Sequence, residues 1–326
     1  MELRKVQQTP SGTFFVCLPK TWAEQNGLNR GSIVALSETS NGRLIIDSKY
    51  DVERAPRIIT LKPGPYLDRE VIGKYLLGYD IIRVETKDKI SPEIREGVKQ
   101  AASKLVGLEI IEEDYSKIVL QCLLEPSTFP PEKVLRREYS IAASMHRDAV
   151  TALIDGDIHL AKNVIARDNE VNRLYFLLVR ILRTVIQNPS LSEKLEIRPI
   201  DCLDYRLAAS LVEAIGDQSA HIGEKVTKMD GKKPEESLVR LILQFHSRIY
   251  ETHENALNAL FAHDIVVAEQ IKDEKTKITE AFQELETKIT TYNAKDAPQI
   301  LAAVSAIYRI YDHTVDIADL VMPKLP

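Results

Sequence analysis

Glu213, Asp217, His221 and Glu224 follow one another at spacings of four, four and three residues. Those intervals set four oxygen or nitrogen donors along one side of a helix. The rhythm returns near the C-terminus as Asp312, Asp316 and Asp319, where Ile-Gly-Asp-Gln-Ser-Ala-His-Ile-Gly-Glu-Lys-Val of residues 215–226 is answered by Ile-Tyr-Asp-His-Thr-Val-Asp-Ile-Ala-Asp-Leu-Val of residues 310–321. Carboxylates with one imidazole suit a divalent or trivalent metal ion, whether iron, zinc, manganese or magnesium. The competing reading of any single stripe is a solvated polar face. The duplication points to a symmetric, cation-binding bundle instead of one catalytic cleft.

Weaker candidates surround this pair. Asp168 and Glu274 fall near equivalent places in the two halves, as second-helix ligands. Glu251, His253 and Glu254 read as surface charge. Asp204 and Arg206 read as a cap and a solvated charge. The paired Glu-x-x-His signature of di-iron bundles is absent, and no nucleophile motif or Gly-rich phosphate loop occurs. An enzyme holding a dinuclear metal for phosphoester or oxidative chemistry is therefore the lesser reading, and the chain is read as a non-enzyme.

The elements that must position these residues are helices. Beyond a linker marked by Pro126, Pro130 and Pro131, six helical segments are predicted over 131–154, 157–188, 200–229, 235–262, 264–293 and 296–322. They are separated by Asp155-Gly156, Asn188-Pro189 with Pro199, Asp230-Gly231, His263-Asp264 and Ala297-Pro298. Short connections imply antiparallel neighbours. Ala152-Leu153-Ile154, Asp157-Ile158, Ala161 and Val164 recur 107 residues later as Ala259-Leu260-Phe261, Asp264-Ile265, Ala268 and Ile271. Helices one to three thus repeat as four to six, giving two tandem three-helix bundles over 126–232 and 233–326. In the third helix Leu211, Ile215, Ile222 and Val226 form the apolar stripe, and Gly216, Ala220 and Gly223 permit close helix approach.

Residues 1–50 read differently: a strand over Thr13–Leu18, a short helix over Lys20–Gln25 behind Pro19, then a hairpin of Ser32–Glu38 and Arg43–Asp47 around Ser-Asn-Gly. Such a segment is small for an independent core. Trp22 is its expected anchor. Residues 51–125 follow as strand, helix, strand, helix, strand, strand, with Ser91-Pro92 opening the second helix. This short α/β layer is read as a spacer or oligomerisation layer.

Bulk properties bound the function. The net charge is −5. Residues 1–50 nevertheless carry Arg4, Lys5, Lys20, Arg30, Arg43 and Lys49 against Glu2, Glu24, Glu38 and Asp47, so a mildly basic head precedes an acidic body. Cys17, Cys122 and Cys202 form no CxxC pair, which fits a reducing, cytoplasmic setting and argues against a thiolate zinc site. No apolar run is long enough for a membrane span, and the opening residues lack the apolar region of a secretory signal.

Two resemblances follow. Ser11-Gly-Thr-Phe-Phe-Val-Cys-Leu-Pro-Lys-Thr-Trp-Ala-Glu-Gln-Asn-Gly-Leu-Asn-Arg-Gly-Ser-Ile-Val with Asn41-Gly-Arg-Leu-Ile-Ile resembles the AbrB/SpoVT swapped-hairpin domain. That resemblance implies an intertwined dimer that binds DNA through basic residues, here Arg4, Lys5, Lys20 and Arg43. Val164-Ile-Ala-Arg-Asp168-Asn-Glu-Val-Asn-Arg-Leu174 and Leu211-Val-Glu213-Ala-Ile-Gly-Asp217-Gln-Ser-Ala-His-Ile-Gly-Glu224 resemble the PhoU family of phosphate-uptake regulators. The first repeat keeps that family's Glu-x-x-x-Asp metal motif as Glu213 and Asp217. In the second, Tyr308 replaces the acid, leaving Asp312 and Asp316.

An AbrB-like head on a PhoU-like body is similar to regulators of phosphate uptake encoded in archaea. The expected fold is a multidomain α+β chain: a small swapped-hairpin β domain, a short α/β layer and an all-α body. The expected function is phosphate homeostasis through a dimeric, DNA-binding transcription regulator with a metal-binding sensor body. Expected partners are DNA, a second copy, and a phosphate transporter ATPase or histidine kinase. A scaffold with neither metal nor DNA is the remaining alternative.

Overall fold

A computed structural model describes residues 2–38, 42–48, 56–291 and 295–323. The chain divides into two compact units, residues 1–55 and 56–326.

The first unit contains β1 (Gln7–Gln8) and β2 (Phe14–Phe15), which pair antiparallel, then α1 (Lys20–Gln25), and an antiparallel pair of β3 (Ala35–Glu38) and β4 (Leu44–Asp47). The predicted strand, short helix and hairpin are present, with shorter strands, and β1 precedes them as a strand the sequence reading did not include. Residues 40 and 41 of the expected turn lie outside the described residues. No described side chain of this unit is buried. Leu3, Val6, Phe14, Phe15, Val16, Ile33, Leu36 and Leu44 are all exposed, and Trp22 is half-buried, not the sealed anchor expected of it. Apolar strands with nothing to pack on pair only briefly, because cross-strand contacts need a covered face to contribute.

The second unit opens with the α/β layer: β5 (Ile58–Leu61), α2 (Leu67–Leu76), β6 (Ile81–Glu85), α3 (Pro92–Ser103), β7 (Leu108–Glu113) and β8 (Lys117–Cys122). The sheet order is β5-β6-β8-β7, with β5 parallel to β6 and the other pairs antiparallel. Ser91 caps α3 by accepting from the Ile94 N–H at 3.3 Å, as its sequence predicts. The layer's core of Val71, Tyr75, Ile82, Val84, Val98, Ile118 and Leu120 also takes in Phe176 of the helical body.

The body comprises α4 (Pro131–Asp155), α5 (Ile158–Gln187), the short α6 (Pro189–Lys194), α7 (Asp201–Lys228), α8 (Glu236–Ala262), α9 (Ile265–Asp273), α10 (Lys275–Thr291) and α11 (Ala297–Asp319). Helix α5 carries Arg180, buried beneath the layer, where it donates to the carbonyls of Tyr75 at 2.6 Å and Tyr79 at 2.9 Å and pairs with Asp80 at 3.3 Å. A guanidinium so placed adds a positive charge at the C-terminal end of α2, where the Tyr75 carbonyl also accepts from the Gly78 N–H at 2.9 Å.

The repeat is visible in its turns. Gly156 and His263, 107 residues apart, both adopt left-handed φ values, 65° and 56°. Asp157 and Asp264 then cap α5 and α9 by accepting from Leu160 and Val267 at 3.0 and 3.1 Å. The predicted helix over 264–293 is broken near Glu274 into α9 and α10, with no Pro or Gly to announce it. Helices α4, α5 and α7 form one bundle, and α8, α9–α10 and α11 the other. They share one core across α7–α11 and α4–α8. Gly223 lets α7 approach α5, since a Cβ there would stand 2.9 Å from the Ala161 carbonyl oxygen; one at Gly216 would press on Val171. Among the described residues no helix is long and apolar enough to cross a membrane.

Candidate functional site

The stripe on α7 divides between two environments. Asp217, His221 and Glu224 line a groove of about 340 Å³ with Asp168 and Ile165 of α5 and Arg309 of α11. Glu213, one turn earlier, is half-buried. It acts electrostatically on a residue that the sequence reading missed: Glu138 of α4, completely buried.

Glu138 is buried on α4, Asp168 and Glu213 are half-buried on α5 and α7, and Asp217 is exposed; Glu213 acts electrostatically with each of the other three. Burial, then the Asp217 charge, pushes Asp168 up to about 6. Burial, then Asp217 and Asp168, pushes Glu213 up to about 7, against the opposing pull of Arg206. Burial first and Glu213 second hold Glu138 well above the usual carboxylate range. Arg206 lies over the Tyr175 ring at 4.7 Å, and so is more than the solvated charge expected of it.

Three carboxylate oxygens here are buried without a hydrogen-bond partner: both of Glu138 and Oδ1 of Asp168. The other Asp168 oxygen accepts from Asn172 at 2.9 Å. Orphaned buried oxygens are rare in folded proteins and point to a missing partner. A hard cation fits that donor set. The acids are neighbours and not yet a chelate, because among the described residues no three His, Cys, Asp or Glu side chains are grouped to hold a metal ion. His221 contacts Glu224 at 3.7 Å, with its pKa lowered by burial first and then by Lys225.

The second bundle differs. Asp312 is half-buried with its pKa raised by burial, and Asp316 is exposed. Glu274 lies beside a groove with Arg248, Glu251 and Lys277, away from Asp316. Tyr308 stacks on Phe282 with ring centroids 4.7 Å apart and shares a 3.0 Å hydrogen bond with Thr279. Phe245 lies 6.3 Å from the same Phe282 ring. The space that holds acids in the first bundle holds rings in the second.

A second constellation had little sequence signal. His253, read as surface charge, is fully buried, although Glu251 and Glu254 are exposed as expected. Its Nδ1 meets the Tyr139 hydroxyl at 2.8 Å and its Nε2 meets His146 Nδ1 at 3.2 Å. His146 Nε2 meets His246 Nδ1 at 3.2 Å. Donation from Tyr139 onward through each Nε2–H satisfies every contact with all three imidazoles neutral. Because His146 offers a different nitrogen to each neighbour, the chain does not converge on one point. Tyr139 and His246, and likewise His146 and His253, are 107 residues apart. The pair distances therefore held a clue that single positions did not.

In the head, Arg4, Lys5, Lys20 and Arg43 are exposed. Arg4 pairs with Glu2, and Lys20 lies 3.8 Å from Glu24.

The PhoU domain pattern matches residues 135–226 and 242–321. PhoU from Pseudomonas aeruginosa is similar in structure, with a TM-score of 0.53 and 20% identity over 60% of this chain and 95% of that one. The phosphate transport system regulatory protein PhoU from Streptococcus pneumoniae gives a TM-score of 0.48 and 18% identity over 59% and 91%. No curated protein matches in sequence.

Proposed function

This chain belongs to the PhoU domain family, and from that premise we propose that it regulates phosphate transport by sensing, without turnover. The carrying observation is the pair of matched domains, the first containing the buried Glu138 of α4 and the less buried acids Asp168, Glu213 and Asp217 of α5 and α7. Asp168, Glu213 and Asp217 would hold a divalent or trivalent cation, with Asp217, His221 and Glu224 continuing the donor set along the groove, and Asp312 and Asp316 offering a weaker set. Such an ion would offset the carboxylate charges and fix α5 against α7. Asp168 and Asp217 are then bridging groups between two helices, so their spacing is what a signal could change.

The head would dimerise and contact DNA through Arg4, Lys5, Lys20 and Arg43. Its exposed apolar residues support dimerisation, and a transporter ATPase or a histidine kinase is the protein partner that fits a regulator of this family. The test is a deletion strain in which phosphate uptake is followed at high and low external phosphate. Wild type should restore regulation, whereas Glu213→Gln with Asp217→Asn should not. Full regulation by that double variant would overturn the sensing role of the acids.

A further inference from the structure

Glu138 stands out among the ionisable residues of this chain. It is wholly buried, and neither carboxylate oxygen has a hydrogen-bond partner. The interacting groups are Glu213, which repels it, and Arg206, whose guanidinium is engaged on Tyr175. An unpaired buried carboxylate is costly, and an apolar side chain would serve the packing better.

The second bundle shows that alternative within the same chain. The residue 107 positions beyond Glu138 is Phe245, that beyond Asp168 is Lys275, and Tyr308 answers Glu213. Phe245 is buried, and with Phe282 and Tyr308 it fills the place with rings. At these positions the second bundle packs aromatics. The first bundle keeps an acid on each of its three helices.

We infer that Glu138 is a further ligand of the cation in the first bundle, closing the site from the α4 side, and that the second bundle, with Phe245 at the matching position, has no such donor. The inference rests on the cation reading of Asp168, Glu213 and Asp217, and adds to it the donor. The ligand class follows from the donors: four carboxylates without thiolate select a hard or borderline cation over a soft one.

Titration of the full chain with Mn2+, followed by calorimetry and by the loss of the free-ion paramagnetic resonance signal, tests it. Wild type should bind one Mn2+ per chain tightly. Glu138→Gln, which keeps the shape, should weaken binding at least tenfold, yet melt no lower than wild type in chelator, since burial already disfavours the ionised form of the carboxyl that it replaces. Glu138→Phe, which copies the second bundle, should behave the same way, and serves if the amide variant does not fold. Unchanged affinity in a folded Glu138 variant, while Glu213→Gln with Asp217→Asn abolishes binding, overturns the role of Glu138 and leaves the underlying site standing. No Mn2+ bound by wild type overturns both.

Discussion

Acid should weaken this protein through three imidazoles. Burial, then its histidine neighbours, lowers the pKa of His146; burial and Arg147 bring His246 to about 4; burial and His246 bring His253 to about 3. Each folded value lies below the unfolded one near 6.5, so the unfolded chain takes up protons that the native chain refuses. Stability is therefore lost as pH falls below about 6.5, by about 1.4 kcal/mol per pH unit for each histidine kept neutral. Glu213 and Asp168 act with the opposite sign. Their folded values of about 7 and about 6 exceed the unfolded ones, so their contribution is present at low pH and is lost as pH rises through that range. Urea midpoints between pH 5 and 8 separate the two. His253→Gln should flatten the acid limb, and Glu213→Gln should flatten the neutral one. An acid limb unaltered by His253→Gln would show that the histidines are not held neutral. These residues were poorly legible because a lone polar residue on an apolar helix face looks the same whether it is exposed or enclosed. Glu213 and Asp217 were legible because spacing and repetition speak together. Glu138 has no such company in the sequence, and only its packing gives it away.

Helix approach should prove as specific as side-chain chemistry. At Gly223 an added Cβ meets backbone, the Ala161 carbonyl oxygen at 2.9 Å, which cannot rotate aside. Gly223→Ala should push α7 from α5 and cost about 1–3 kcal/mol, as overpacking does. Gly97 in α3 has nothing within 4 Å of the same added atom. Gly97→Ala should therefore stabilise by about 0.5–1 kcal/mol through helix propensity alone. Chemical denaturation of both variants checks the pair, and a loss at Gly97 as large as that at Gly223 would defeat the close-approach argument. Small residues between the acids on α7 made this contact readable from sequence. The break between α9 and α10 was not readable, since Asp273, Glu274 and Lys275 are ordinary helix residues and the bend is set by tertiary packing. The terminal residues of the α/β strands were also fixed by pairing partners, which a propensity pattern leaves open.

At the scale of the whole molecule, the two units differ in whether they can stand alone. The helical body has one continuous core from α4 to α11, and the α/β layer has its own. Residues 1–55 have no buried described side chain, while Phe14, Leu36, Leu44 and Ile33 are 58% or more exposed. A small segment with its apolar residues outward is stable only when another surface covers them, and the dimer proposed above would use a second copy for that purpose. Removing residues 1–55 should therefore lower the mass in light scattering from dimer to monomer, while helix content and melting of the remainder stay close to wild type. Replacing Phe14 and Leu36 together by Ser should do the same in the full chain. DNA affinity, if carried by this unit, should fall with the mass, and should fall further in Arg4→Ala with Lys5→Ala and Lys20→Ala, which would also flatten its salt dependence. The chain's net charge of −5 makes the head the natural place for phosphate contacts, because the body would repel them at low salt. A truncated chain that remains dimeric would move the self-contact to the α/β layer or the bundles. Truncation that abolishes dimerisation but leaves a gel shift intact would move the DNA contact there instead.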